Sequence, residues 1–223
     1  MSNNPNGRFD GYADIHKALR AFMGDTLAKV GSLDPEDPAE SAAVTGQVGD
    51  LLRLCRTHLE HENDFMHTAM EARAPGSSRS FAEDHEGHEQ AMRNLWLDLD
   101  AVANGGERAV TRLYRGLAVF VAENLEHMDR EEREINAVLW ANYTDAELIG
   151  IERALVASLK PEELTLALAW MIPALNPRQR AAKLAGIRAG APEPMFRKVL
   201  DLVRPALEGT GWEKLKRDLE LAG

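Results

Sequence analysis

The pattern of apolar and polar residues along this chain is helical throughout. Apolar residues recur every three or four positions, and the interruptions fall at clusters of Gly, Pro and Ser such as GSLDPEDP and APGSSRS. This spacing predicts an all-α fold that begins with four long helices, at residues 8–30, 39–73, 81–103 and 107–140. Because short loops join these long amphipathic helices, we expect an up-down-up-down four-helix bundle.

A second helical region follows Asn142, where the predicted helices become shorter. We place these helices at residues 145–159, 161–172, 177–189, 193–208 and 211–221. Thr144 with Glu147, and Asn176 with Gln179, have the spacing of capping boxes at two of the helix starts. We therefore divide the chain into a bundle domain, residues 1–143, and an additional C-terminal helical accessory region, residues 144–223.

The accessory region contains no histidine, so we expect helix packing from it rather than chemistry. Its large apolar residues include Trp170, Met171 and Trp212. We expect these side chains to pack, either over the bundle or in the surface of a homodimer.

Polar residues interrupt the predicted bundle seams, the rows of core-facing positions, at matching places. In a bundle, two of every seven residues on each helix face the core and are usually apolar. The second helix instead carries His58 and Glu62 on its seam, and the fourth carries His127 and Glu131. The other seam histidines are His16 on the first helix and His85 and His88 on the third. Five of the seven histidines thus occupy core positions.

The heights of these residues along the bundle also agree. The second and fourth helices run parallel in this topology, which puts His58 and His127 within about one turn of each other. On the third helix, His88 fits this height better than His85. Both stay candidates.

Composition narrows the kinds of partner and site. A formal net charge of −10 argues against nucleic acid as a partner, because phosphate backbones bind clustered Lys and Arg. Cys55 is the single cysteine, which excludes disulfide frameworks and sites built from several thiolates. The N-terminus has no apolar signal sequence, and the longest apolar run, residues 164–175, is too short to span a bilayer. We expect a cytoplasmic protein that does not bind membranes.

The buried histidines and carboxylates need an explanation, because burying such groups without partners costs several kcal/mol per charge. A His–Glu hydrogen-bond network is one alternative, but two copies of His-x-x-x-Glu on parallel helices favour a metal site. Imidazole and carboxylate without thiolate suit iron, manganese or zinc. Two carboxylates able to bridge, with histidines from four helices, predict a dinuclear centre.

Residues 1 to about 140 resemble the hemerythrin-like, or HHE cation-binding, domain family. The resemblance lies in His16 followed by HLEHE, EDHEGH and HMDRE, and residues 161–187 resemble the helical tail of bacterial members. It implies a non-haem centre of two iron ions, bridged by an oxo or hydroxo oxygen and by carboxylates, that handles dioxygen, peroxide or nitric oxide. By the same resemblance the terminal ligands would be His16, His58, His85 and His127, and the bridging carboxylates Glu62 and Glu131.

Two positions depart from the oxygen-carrying members of that family. Those members have a His-x-x-x-His pair on the third helix, whereas here Glu89 stands four residues after His85. They also have a bridging aspartate five residues after the histidine of the fourth helix, where this chain has Glu132 behind the better placed Glu131. Both departures point towards enzyme-like or sensor-like members.

Other polar residues lie close to the predicted ligands. Tyr12, His61 and Asn124 are candidates for hydrogen bonding around the centre. Tyr12 is also a candidate for an extra ligand, with a core tyrosine the alternative, and for His61 the alternative is a solvated surface position. We expect His67 to lie near the end of its helix and to be exposed.

Two functions stay open at this point. One is a redox enzyme that disproportionates hydrogen peroxide, and the other is a binding module that senses oxygen, nitric oxide, iron or redox state without turnover. Zinc or manganese stays open as a substitute for iron.

Overall fold

The computed structural model describes residues 7–207 and 209–221, apart from the side chains of residues 103–105. These residues form helices and turns, with no strand among them. In chain order the elements are α1 (Ala13–Ser32), α2 (Pro38–His61), a first π-helical turn (Glu62–His67), α3 (Thr68–Arg73), α4 (Arg79–Arg130), a second π-helical turn (Glu131–Ile135), α5 (Asn136–Asn142), α6 (Asp145–Ser158), α7 (Pro161–Ala174), α8 (Pro177–Gly190), α9 (Glu193–Val203), a 3-10 turn (Arg204–Ala206) and α10 (Gly209–Leu219). The all-α prediction is confirmed.

The chain forms two compact units. One is Phe22–Ser158, and the other combines the described residues up to Ala21 with those from Leu159 onwards. The division falls inside helix α1, between Ala21 and Phe22. The domain boundary after residue 143 stays a prediction.

Helix α4 contains the predicted third helix and most of the predicted fourth, separated by a break at Gly106, and the rest of the fourth is the second π-helical turn and α5. The backbone of Gly106 has φ 54° and ψ −151°, a conformation that only glycine adopts without strain. The two halves of α4 then run antiparallel, since Asp98 forms an ion pair with Arg112, and a Cβ on Gly116 would lie 3.2 Å from the Leu95 side chain. The predicted helix break between residues 103 and 107 is confirmed, and it lies at Gly106.

The remaining bundle helices also pack against neighbours that run the opposite way. Helix α2 begins at Pro38, where the Asp37 carboxylate accepts bonds from two backbone amides and so caps the helix. The packing contacts are Gln47 with Asp25, Trp96 against Gly49, Asn63 with His85, and Tyr114 against Gly31. These pairs link α1 to α2, α2 to the first half of α4, and the second half of α4 back to α1, which is the predicted up-down-up-down bundle.

The bundle core follows the predicted seams away from the histidines. Val48 and Leu51 on α2 and Leu113 and Leu117 on α4 are buried. Burying a side chain of this size contributes about 1.5–3 kcal/mol relative to leaving it exposed. Apolar packing therefore stabilises the part of the bundle that lies beyond the polar cluster.

The C-terminal helices α7 to α10 have a hydrophobic core of their own. It consists of Leu168, Ile172, Leu175, Leu184, Phe196, Val199, Val203, Leu207, Leu215 and Leu219. Buried Arg180 donates to the backbone carbonyls of Ile172, Pro173 and Leu175 and so satisfies the C-terminal end of α7. Among the described residues, no helix combines the length and apolarity needed to cross a bilayer.

Both predicted capping boxes are present. Thr144 and Glu147 exchange backbone and side-chain hydrogen bonds at the start of α6. Asn176 and Gln179 do the same at the start of α8. The local sequence signals for these helix starts are therefore confirmed.

Candidate metal centre

Histidine and glutamate side chains are buried together inside the unit Phe22–Ser158. The fully or nearly fully buried members are Glu62, His67, His85, His88, His127 and Glu131, and the His58 side chain is 15% exposed. Glu131 has no solvent-accessible surface. A carboxylate so enclosed needs a cation or several donors nearby, because desolvation otherwise disfavours its charge.

Each His-x-x-x-Glu sequence places its two side chains in contact across one helical turn. His58 Nε2 lies 3.0 Å from Glu62 Oε1, and His127 Nε2 lies 3.0 Å from Glu131 Oε1. Residues four apart share a helix face, so the spacing alone brings each pair together. The repeated spacing in the sequence therefore corresponds to repeated geometry in the fold.

His85 lies between the two pairs. Its Nε2 is 3.1 Å from His127 Nε2, 3.5 Å from Glu131 Oε1 and 3.6 Å from Glu62 Oε2. Ring nitrogens and carboxylate oxygens from α4 and from both π-helical turns thus converge on one small region.

The converging atoms form two groups that could each hold a metal ion. One ligand atom from each of His58, Glu62 and Glu131 lies within 4.8 Å of the others, and the same holds for His67, His85 and Glu131. Glu131 belongs to both groups. Nitrogen and carboxylate oxygen donors with a shared carboxylate fit two transition-metal cations held close together.

Both glutamates begin a π-helical turn. The first turn starts at Glu62 and the second at Glu131. A π-helical turn inserts one extra residue into an α-helix and is frequent at functional sites. The two matching distortions therefore mark the buried His–Glu cluster independently of its side chains.

The prediction that His67 is exposed is wrong. His67 is 5% exposed, and no hydrogen-bond partner for its Nε2 lies among the described residues. An uninterrupted α-helix would put Phe65 on the seam, but the π-helical turn rotates the following residues so that Met66 and His67 face inward while Phe65 is half-buried. Sequence periodicity could not find His67, because the extra residue leaves no signature in the apolar pattern.

Two hydrogen bonds orient His85 and His127 in the cluster. His85 Nδ1 donates to Asn63 Oδ1 at 2.8 Å, and His127 Nδ1 lies 3.3 Å from Asp84 Oδ2, which also accepts from Arg130 at 2.7 Å. A proton on Nδ1 leaves the Nε2 lone pair facing the cluster, as a metal ligand requires. The sequence did not single out Asn63 and Asp84, because both lie beside the apolar seams and neither belongs to a repeated spacing of polar residues.

His88 is buried one turn beyond His85. Its ring meets that of His127 edge-on, with centroids 4.7 Å apart. Burial and the neighbouring His127 and His85 lower the pKa of His88 to about 4, so it is neutral near pH 7. Among the described residues, neither ligand group includes His88 or His127, but His127 Nε2 contacts Glu131 Oε1 at 3.0 Å. The distances thus favour His85 as the ligand candidate of this helix, whereas the sequence-based height along the helix favoured His88.

His127 has a different electrostatic environment. Burial acts to lower its pKa, but the hydrogen bond to Glu131 and the charges of Glu131, Glu62 and Asp84 outweigh burial and raise it. The carboxylates therefore favour positive charge at this point of the cluster, and a bound cation would supply such charge.

The other predicted site residues have identifiable partners. His61 is half-buried, and its ring nitrogens lie 2.6 Å from the Thr57 carbonyl oxygen and 3.1 Å from Ser158 Oγ. Asn124 donates to the Phe120 carbonyl oxygen of its own helix.

His16 and Tyr12 lie in the other compact unit, in the segment that ends at Ala21. Both are buried, and their rings are tilted against each other with centroids 5.1 Å apart. The role of His16 as a ligand stays a prediction.

Together the bundle and the buried imidazole–carboxylate groups define a helical protein with an internal cation site. The chain belongs to the hemerythrin HHE cation binding domain family, whose model matches residues 9–139. No curated protein and no solved structure shows a significant match to it.

Proposed function

We propose that this protein holds a non-haem di-iron centre and uses it to handle dioxygen, peroxide or nitric oxide, with hydrogen peroxide as the substrate to test first. The observation that carries the proposal is the pair of ligand groups that share Glu131. A shared carboxylate between two cation positions is what a dinuclear centre needs. Family membership supports cation binding, and the absence of thiolate ligands favours iron over softer metals.

The proposed ligand set combines residues of the two groups with His127, whose Nε2 lies 3.0 Å from Glu131 Oε1 and 3.1 Å from His85 Nε2. His58, Glu62, His85, His127 and Glu131 come from Phe22–Ser158, and we propose that His16 adds an imidazole from α1. We assign His88 to packing against His127. Zinc or manganese could occupy the same donors, so iron itself is part of the proposal.

The protein side chains have separate tasks in this proposal. Two bound irons would supply the electron transfer that converts two hydrogen peroxide molecules into one dioxygen and two water molecules. Glu62 and Glu131 provide the negative charge that balances the cations, while Asn63 and Asp84 hold the imidazoles in the binding tautomer. Phe81, whose ring lies against those of His67 and His127, limits the access of water.

Oxygen evolution tests the enzymatic part of the proposal. Iron-loaded wild type should release dioxygen from hydrogen peroxide, and Glu62→Ala should lose most of that rate because it removes a carboxylate ligand. Glu60→Ala is the matched control, since Glu60 is an exposed residue of α2 two positions before Glu62. Equal, near-background rates for wild type and Glu62→Ala would contradict peroxide disproportionation.

A sensing function is the second proposal, and the separate core formed by α7 to α10 favours it. A helical unit with its own core could present an output surface to a partner or to a second copy of the chain. In this case the iron-loaded protein should give a stable optical spectrum with oxygen or nitric oxide and show no turnover. If neither gas changed the spectrum, the sensing proposal would be wrong.

A further inference from the structure

We propose that His67 is a metal ligand, and that with His85 and Glu131 it forms the second of the two cation positions. This inference rests on the proposed di-iron function and adds one ligand to the proposed ligand set.

The position of His67 results from the first π-helical turn, of which it is the last residue. The turn rotates the chain after Glu62, so the imidazole enters the bundle interior. Its ring stacks on that of His85, with centroids 4.9 Å apart and an interplanar angle of 20°. Phe81 lies on another side, with a ring centroid 6.4 Å away.

The Nε2 atom of His67 is buried without a hydrogen-bond partner among the described residues. Burying such a nitrogen unsatisfied costs free energy, and an apolar side chain of similar size would avoid the cost. The imidazole therefore needs a partner that is not another side chain. A metal cation is a partner that a neutral imidazole binds through its lone pair.

The neighbours of His67 complete a coordination set. One of its ring nitrogens lies within 4.8 Å of ligand atoms of His85 and Glu131, and all three residues are buried. Two histidines and one carboxylate form the set that non-haem iron uses when it keeps open positions for an external ligand. The second cation position is therefore the one suited to binding a small molecule.

His88 offers a matched comparison. Like His67 it is a buried histidine whose ring packs against a ligand histidine and a phenylalanine, here His127 and Phe120. Unlike His67, it belongs to neither ligand group among the described residues. If burial and ring packing explained both residues, replacing either one would have the same effect on metal binding.

The test compares wild type, His67→Leu and His88→Leu as full-length chains stripped of metal. Each is titrated with Fe²⁺ under anaerobic conditions, and bound iron is measured by equilibrium dialysis. We expect two irons per chain for wild type and His88→Leu. We expect one tightly bound iron for His67→Leu, with the second bound about 100-fold more weakly, since even supporting residues of metal sites change affinity by about 10–100-fold.

Thermal unfolding provides the second readout. Metal-free His67→Leu should melt at or above the melting temperature of metal-free wild type, because the unsatisfied nitrogen is gone. Iron loading should raise its melting temperature by less than it raises that of wild type. His67→Gln, which keeps a polar side chain of similar length, serves if the leucine variant does not fold. A residue that only packs the core would instead lower the melting temperature of the metal-free protein.

Two results would overturn the inference. One is two irons bound by His67→Leu and His67→Gln with wild-type affinity, and the other is an equal loss in His88→Leu. If wild type itself binds no iron, the proposed function fails, and this result is distinct because it appears before any variant is compared.

Discussion

At the scale of single residues, the hydrogen bond from His85 to Asn63 sets which ring nitrogen faces the cluster. The Asn63 side-chain oxygen accepts from Nδ1 at 2.8 Å, so Nε2 points at Glu62, Glu131 and His127. Fixing the tautomer and orientation of a ligand histidine strengthens metal binding.

We therefore predict that Asn63→Ala weakens iron binding by about 10–100-fold. Asp64→Ala is the control, because the neighbouring Asp64 is exposed and should leave affinity unchanged. Iron titrations of both variants and wild type provide the measurement. Equal affinities for Asn63→Ala and Asp64→Ala would count against an orienting role.

The sequence was sufficient to predict the side chains that repeat with helical spacing. His58, Glu62, His127 and Glu131 were identified because a polar residue on an apolar seam is conspicuous, and all four lie in the cluster. Residues beside the seam could not be identified in this way. Asn63 and Asp84 have the spacing of ordinary surface residues, and only the fold shows what they contact.

At the scale of elements, the break at Gly106 allows α4 to fold back on itself as two bundle helices. Its φ of 54° and ψ of −151° lie in a region that residues with a Cβ avoid. The reversal depends on this one backbone conformation.

Gly106→Ala should therefore destabilise the protein by about 1–3 kcal/mol, the usual cost of a strained backbone conformation. Gly150→Ala should have the opposite effect, adding about 0.5–1 kcal/mol to the stability, because Gly150 lies inside α6 and a Cβ placed there would meet nothing within 4 Å. Urea unfolding of both variants measures the difference. If Gly106→Ala stabilised the protein as Gly150→Ala does, the conclusion that the break needs glycine at position 106 would be wrong.

The turn between α3 and α4 is held by Glu71. Its carboxylate accepts hydrogen bonds from the Gly76 amide at 2.7 Å, the Ser78 hydroxyl at 2.7 Å and the Ser78 amide at 3.0 Å. These bonds lower the pKa of Glu71 from 4.5 to about 2. Because the folded state favours the charged form, Glu71 contributes stability above about pH 4.5 and loses it as the pH falls towards 2.

Glu71→Gln should accordingly be less stable than wild type at pH 7, with the gap narrowing below about pH 4.5 and closing near pH 2. Melting temperatures of both proteins across this range test the expectation. A gap that stays constant from pH 7 to pH 3 would show that the charge of Glu71 is not involved.

The helices were largely predictable and the π-helical turns were not. Gly, Pro and capping residues mark the helix ends in the sequence, so the predicted bounds agree with the structure to within a few residues for most elements. A π-helical turn changes neither the composition nor the caps of its helix. Its effect appears only in three dimensions, where it brings His67 into the core.

At the scale of the whole molecule, the buried carboxylates connect stability to metal binding. Glu62 and Glu131 lie in a bundle interior where negative charge is unfavourable without cations. Metal ions that bind the folded chain and not the unfolded chain raise the free energy of unfolding.

We predict that removing metal with a chelator lowers the melting temperature, and that adding iron back restores it. Glu62→Ala should show a smaller change than wild type, because it removes both a buried charge and a ligand. Differential scanning calorimetry with and without chelator provides the measurement. Identical melting curves would contradict the link between the cluster and metal binding.

The most direct test of the proposed di-iron centre is the iron content of the full-length protein purified from iron-supplemented culture. Elemental analysis with an absorption spectrum measures both the amount and the kind of metal. We predict about two irons per chain, as expected from two ligand groups that share Glu131. An iron content of one or none per chain in well-folded protein would contradict the account.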